Sequence, residues 1–344
     1  MTGALTFTLG DILTKLCRRE DLTQDESRWV FEHITSGQAA EAQIGGLLVG
    51  LAAKGTTVEE LVGAASVLRE RVIPIDCPGN DVLLDTCGTG GDVRHTFNIS
   101  TAAAILAAAC GVTVVKHGNR SASGRTGSAD VLEALGVRLD VMPATLTACL
   151  AQANLCFAFA RAHHPAVAHV AAARKALGIP TIFNILAPLA NPGRAKHQLL
   201  GVFAPELTDR LASVLRELGS VRAWVVHAED GLDELSTLGP TRISELRDGH
   251  IQTWTLDPAE LDIPYARLSD LQITDTRDSA EKMGRLLAGE PGALRDISAL
   301  NAAAALVIAG RAADLRAALS TVNAAIDDGR AKRTLQTLVR LTNS

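Results

Sequence analysis

The 344-residue chain has few aromatic side chains, 3% against 47% apolar residues overall. A core of that composition is filled by Ala, Leu and Val, a mixture that suits helices packed on a sheet. The six cysteines, Cys17, Cys77, Cys87, Cys110, Cys149 and Cys156, form no C-x-x-C pair, and most sit in apolar runs. That argues against disulfides and for reduced, buried thiols in a cytosolic protein. Basic charge is not in excess: the formal net charge is −5, with Lys and Arg dispersed. The electrostatic footprint of a nucleic-acid or membrane-surface protein is therefore missing. Neither a secretory leader nor an apolar run long enough to span a bilayer is seen, because "TAAAILAAACGVTVV" is broken by Gly111 and reads as helix, turn, strand. The expected location is the cytoplasm.

What is present is a change of grammar along the chain. The length exceeds the roughly 250–300 residues at which single cores stop growing, so two structural units, or a core with an appendage, are expected. Residues 1–75 carry only helical patterning, with a Thr23/Glu26 capping box opening "LTQDESRWVFEHI" and three- and four-residue apolar spacing in "TTVEELVGAASVLRERV". From residue 76 short β-like runs end in glycine-rich turns and lead into helices: "VLLD" before "CGTGGD", "VTVVKH" before "GNRSASG", then "LCFAFA" and "RAWVVHA". "TRISELRDGHIQTWTL" reads as a hairpin turning at Arg247-Asp248-Gly249, and the pattern after Thr274 is helical again. The expected class is α/β, with a small N-terminal helical domain (1–75) and a large α/β domain (76–344) built on a mostly parallel central sheet. Part of 165–192 is expected to pack with the helical domain.

The stretch "DTCGTGGDVRHTFNIST", residues 85–101, supplies glycines at 88, 90 and 91 after a strand. Bare backbone there lets consecutive N–H groups close around an anion. Thr96, Asn98, Ser100 and Thr101 follow at a helix mouth, where free N–H groups and the helix dipole favour negative charge. The spacing fits neither G-x-G-x-x-G nor a P-loop, so the glycines alone do not name a ligand. A second loop, "KHGNRSASGRTGSAD", follows the next strand with Lys116, His117, Arg120 and Arg125 among small hydroxyl residues and glycines. Two such loops on successive strands meet at one sheet edge and suit a pyrophosphate-sized ligand. Such a ligand normally brings magnesium, and "HAEDGLDELS" offers Asp233 and Glu234 side by side, with Glu229 and Asp230 nearby.

Together "GTGGD…HTFNIST", "KHGNRSASGRTGSADVLEALG", "HPA…FN…P…NP" and "DGLDE" resemble the anthranilate phosphoribosyltransferases over nearly the whole chain. The resemblance implies a nucleoside phosphorylase/phosphoribosyltransferase-like fold, dimerising through the helical domains. It implies transfer of phosphoribosyl from phosphoribosyl pyrophosphate (PRPP) to anthranilate, with Mg2+, in tryptophan biosynthesis. By the same resemblance Gly88, Gly91, Asp92, Thr96, Asn98, Ile99, Ser100 and Thr101 border PRPP. Lys116, His117, Gly118, Asn119, Arg120, Ser121, Ala122, Ser123 and Gly124 wrap its diphosphate end, and Ser128 touches the donor. Ser100, Asp233 and Glu234 hold magnesium, and Gly88, Asn119 and Arg174 contact anthranilate, Arg174 through its carboxylate. Lys116 and Arg120 are the candidates for stabilising the leaving group.

The acceptor region departs from the family pattern. In "VAAARKALGIPTIFNILAP" Arg174 is kept, but Pro180 replaces an arginine, Ala172 a proline and Ala187 a glycine; upstream, Arg161 and Val167 stand for proline and methionine. Arg to Pro removes a cation and a backbone donor and stiffens the chain, which leaves another aromatic acceptor open. Two rival functions compete with phosphoribosyl transfer. One is a nucleoside phosphorylase of the same superfamily, which would lack the acidic pair and the long glycine loop; the second is a non-catalytic nucleic-acid-binding paralogue. His163, His164 and His169 have the wrong spacing for one metal-binding helix face, and Cys87 has no evident base partner. Trp29, Trp224 and Trp254 are expected in the core or the sheet.

Overall fold

The computed structural model describes residues 7–77, 79, 82–90, 94–121 and 125–344. The chain divides into two compact units, Met1–Ile73 with His163–Ala190, and Pro74–Ala162 with Asn191–Ser344.

The first unit is helical. It contains α1 (Leu9–Cys17), α2 (Gln24–Thr35), α3 (Glu41–Lys54) and α4 (Val58–Arg71), joined by the later helices Ala168–Leu177 and Ile182–Leu186. The Thr23/Glu26 capping box forms, and Thr57/Glu60 makes a second one at the start of α4. Glu60 is fully buried and also accepts the Leu22 amide at 2.9 Å and the Lys54 ammonium at 3.0 Å, so its charge is paired rather than stranded. Gly63 lets α4 approach α2: a Cβ there would meet the Arg28 amide at 2.9 Å.

The second unit is a seven-stranded sheet in the order β3-β2-β1-β4-β5-β6-β7. The strands are β1 (Leu83–Gly88), β2 (Thr113–Gly118), β3 (Leu155–Phe159), β4 (His197–Gly201), β5 (Arg222–Ala228), β6 (Thr241–Arg247) and β7 (His250–Leu256). The first five are mutually parallel, and β6 and β7 are the antiparallel edge hairpin expected from the sequence. Its two-residue turn has positive φ at both Asp248 and Gly249, as a tightly twisted hairpin requires.

The alanine-rich α5 (Ile99–Ala109) follows β1 and packs against the helix Ala293–Ile308, itself rich in alanine. Residues 101–108 and 297–308 of the two are buried. Small side chains allow these helices to lie close together, which explains how the core needs only a few aromatic rings, among them Phe97, Phe157 and Trp224. Trp224 is buried in β5 with Trp254 of β7 edge-on to it, but Trp29 lies half-buried on α2, stacked on His33. Only Cys87, Cys149 and Cys156 are buried thiols; Cys17 is exposed and Cys77 and Cys110 are intermediate, so the expectation of mostly buried cysteines is corrected. Among the described residues no helix is long and apolar enough to cross a membrane.

Candidate active site

The strand order reverses between β1 and β4: the chain winds outward through β2 and β3, then returns to add β4 and β5 on the other side. Ligands of open α/β sheets bind at the carboxyl ends of strands at such a switch point. Here β1, β2 and β4 all end on glycine, at Gly88, Gly118 and Gly201.

Each glycine is needed for close approach. A Cβ at Gly88 would lie 2.5 Å from Asp233 Oδ2, one at Gly118 would collide with the Ser128 hydroxyl, and one at Gly201 with the Asp233 carbonyl. The acidic turn after β5 is thereby pressed onto the tips of β1 and β4. Asp233 is buried and its Oδ2 accepts the Gly90 amide at 2.9 Å. Glu234 Oε1 accepts the Ser100 amide at 3.1 Å, at the first turn of α5. The two carboxylates thus join the glycine loop and the helix mouth at one place.

The floor beneath them is a split in the sheet. β1 and β2 are registered at Leu83↔Thr113 and Leu84↔Val114, whereas β1 and β4 stay in register as far as Gly88↔Gly201. Beyond residue 84, side chains bridge β1 and β2. Asp85 Oδ1 accepts the His117 amide at 3.0 Å, and Lys116 Nζ donates to Thr86 O at 2.6 Å and Ser100 Oγ at 3.2 Å. Both charged groups are almost wholly enclosed. Burial pushes the Asp85 carboxyl up and the Lys116 ammonium down, and each one's charge partly opposes the other's shift. Gln198 on β4 donates to Cys87 Sγ at 3.1 Å, and burial drives that thiol well above the usual range, an inert setting for a cysteine.

The loop after β2 closes on α6 (Ser128–Ala134). Asp130 Oδ2 accepts the amides of Ser121 at 3.1 Å and Gly127 at 2.8 Å, while Asn119 O receives the Ser128 hydroxyl at 3.3 Å. Arg120 is exposed and pairs with Asp130 and Glu133, its guanidinium 5.7 Å from the Phe159 ring centre.

The structure brings together Gly88, Ser100, Lys116, Asp233 and Glu234, with His117, Gly118, Asn119 and Ser128 on the adjoining strand tip and loop. Asn98 stands at the N-cap position of α5 without a side-chain capping bond; its Oδ1 instead accepts the Ser279 hydroxyl at 2.7 Å. Thr96 bridges to Gln272. Ile99 and Thr101 are buried, Thr101 lining a small void with Ile105, Leu132 and the Lys116 stem, so their side chains face the core rather than the loop. Gly91, Asp92, Ala122, Ser123 and Gly124 lie outside the described residues. Arg174, in the helical unit, sits 5.1 Å from the Phe183 ring centre, and burial lowers its guanidinium from the usual range.

Four residues at or beneath this site escaped the sequence reading: Asp85, Gln198, Gly201 and Asn301. Gly201 could have been suspected from the "LLG" end of an apolar run, but Asn301, inside "SALNAAAALVI", carries no local signal.

Among the described residues no group of three or more His, Cys, Asp and Glu side chains could hold a metal by itself. Two adjacent carboxylates with a hydroxyl are nonetheless a hard-oxygen donor set of the kind magnesium takes when phosphate oxygens complete its shell. The residues present fit that ion.

Residues 80–332 match the model of the glycosyl transferase family a/b domain, and residues 10–72 that of the same family's helical bundle domain. The chain is therefore a glycosyl transferase of this two-domain class. Within it, the chain belongs to the anthranilate phosphoribosyltransferase family. It is 49% identical to the anthranilate phosphoribosyltransferase of Parvibaculum lavamentivorans over 96% of this chain and 97% of the relative. The crystal structure of the Thermus thermophilus anthranilate phosphoribosyltransferase superposes with a TM-score of 0.90 at 38% identity, covering 97% of this chain and 100% of that one. The Saccharomyces cerevisiae enzyme in complex with PRPP and Mg gives 0.88 at 25% identity, covering 97% and 98%.

Proposed function

We propose that this chain transfers the phosphoribosyl group of PRPP to anthranilate, giving N-(5-phosphoribosyl)anthranilate and pyrophosphate in tryptophan biosynthesis. The observation that carries the reading is the meeting of three glycine-ended strands with the α5 mouth and the Asp233-Glu234 pair. The Gly90 and Ser100 amides donate to these carboxylates here; in this reading they pass to the donor phosphates as the carboxylates turn to a divalent cation in the same crevice. In this reading Asp233 and Glu234, with the Ser100 hydroxyl, hold Mg2+, which when bound neutralises charge on the departing pyrophosphate.

The chain's own groups do the rest. The Gly88–Gly90 turn and the α5 mouth seat the donor phosphates, with Asn98 and Thr96 bracing that mouth. Lys116 contributes positive charge from beneath Ser100 rather than by direct contact, since its ammonium is enclosed. Arg120, on the exposed rim, exchanges Asp130 and Glu133 for the diphosphate. The acceptor amine is neutral at pH 7, so holding its nitrogen against C1 opposite the leaving group suffices and no covalent nucleophile is used. Gly88, Asn119 and Arg174 are carried over as the acceptor contacts, Arg174 by pairing its planar fork with the carboxylate. A homodimer through the helical unit and a cytoplasmic location belong to the same proposal.

Turnover of PRPP with Mg2+ and a panel of substituted benzoates tests it. Loss of anthranilate fluorescence matched by pyrophosphate release is expected; turnover of another acceptor with none of anthranilate would overturn the acceptor assignment.

A further inference from the structure

The turn that carries Asp233 and Glu234 is gripped from behind by a residue far along the chain. Asn301, fully buried on the helix Ala293–Ile308, has its side chain against the main chain of Leu235, the residue after Glu234. Its Oδ1 accepts the Leu235 amide at 3.0 Å, and its Nδ2 donates to Leu235 O at 2.8 Å and to Ile297 O at 2.9 Å. A side-chain amide that both donates to and accepts from one residue fixes that residue's position and its rotation. An apolar side chain of the same size would leave a buried N–H and a buried C=O without partners.

Other supports run within the turn or to neighbouring strand and loop: Leu232 N–H donates to Asp230 Oδ1 and Ser236 N–H to Thr241 Oγ1 at the start of β6, both at 3.0 Å, and the Arg94 guanidinium donates to Asp230 O. Asn301 is different in kind, because it anchors the turn to a helix buried in the core.

We infer that Asn301 is a positioning residue for the metal-binding carboxylates. By fixing Leu235 it sets the directions in which Asp233 and Glu234 leave the chain, toward Gly90 and Ser100. The inference rests on the proposal that these two carboxylates hold Mg2+. Groups that orient metal ligands from behind typically carry about 10–100-fold in metal affinity.

The test uses Mn2+ as a paramagnetic stand-in for Mg2+. Binding to the full-length protein at saturating PRPP is followed by loss of the free-ion EPR signal, with a protein-free control subtracted. Circular dichroism and melting are recorded for every variant, and Asn301→Ser is the milder partner of Asn301→Ala should the latter fail to fold. The folded Asn301 variant is expected to bind Mn2+ about 10–100-fold more weakly, and the Asp233→Asn/Glu234→Gln pair not at all. If the Asn301 variants lose only melting temperature and bind Mn2+ like the parent while the acidic pair variant does not bind, the inference fails and the metal assignment stands. If the acidic pair variant binds like the parent, the metal assignment fails and takes the inference with it.

Discussion

Gly88 and Asp233 face each other so closely that a Cβ on the glycine would lie 2.5 Å from the carboxylate Oδ2. The same carboxylate holds the Gly90 amide, so any retreat of Asp233 also disturbs the loop that follows β1. Gly88→Ala is therefore expected to displace the carboxylate by the order of 1 Å and to lower kcat/KM for PRPP about 100-fold. Melting should change little, since Gly88 is exposed at a strand end. Steady-state kinetics beside a thermal melt decide it, and near-parental kinetics would mean that the contact has no bearing on turnover.

Asp85 shares the split between β1 and β2 with Lys116, and its negative charge raises the lysine's affinity for its proton. Asp85→Asn keeps an oxygen for the His117 amide but removes that charge. The Lys116 ammonium should then lose its proton at lower pH. If Lys116 supports pyrophosphate departure as a cation, the alkaline limb of the pH–kcat profile moves to lower pH in Asp85→Asn. An alkaline limb that stays in place would detach Lys116's charge from the chemistry.

His164 supplies a different pH dependence, on stability. Burial, with the charge of His163 added, holds its imidazole down to about 4. A histidine whose folded pKa lies below its unfolded value of about 6.5 stabilises the fold fully above that unfolded value. The contribution is lost as pH falls through about 4, with a total of about 3 kcal/mol. His164→Gln is expected to flatten the fall in unfolding free energy between pH 6.5 and 4. Parallel urea-unfolding curves for parent and variant across that window would contradict the assignment.

The donor loops were legible because glycines and hydroxyl residues cluster where strands stop, and the edge hairpin because Asp248-Gly249 suits a turn with two positive φ angles. Other parts left little or no local trace. β4 is five residues long and buried throughout, so it shows no alternation by which to tell it from loop or core. Lys116 sits in a motif that suggests a phosphate ligand, yet the pleat of β2 sends its stem into the core beside Thr101 and Ile105. Direction of that kind depends on strand register, which is set by neighbours far away in sequence. Asn301 is hidden for the same reason: its partner, Leu235, is 66 residues away.

The most direct test of the donor site is calorimetric binding of PRPP with and without Mg2+, in the parent chain and in Asp233→Asn/Glu234→Gln. The expected result is PRPP binding that tightens at least tenfold with Mg2+ in the parent, a gain of about 1.4 kcal/mol, and no such gain in the variant. Equal tightening in both proteins would contradict the claim that this acidic pair and the glycine-ended strands grip the donor together.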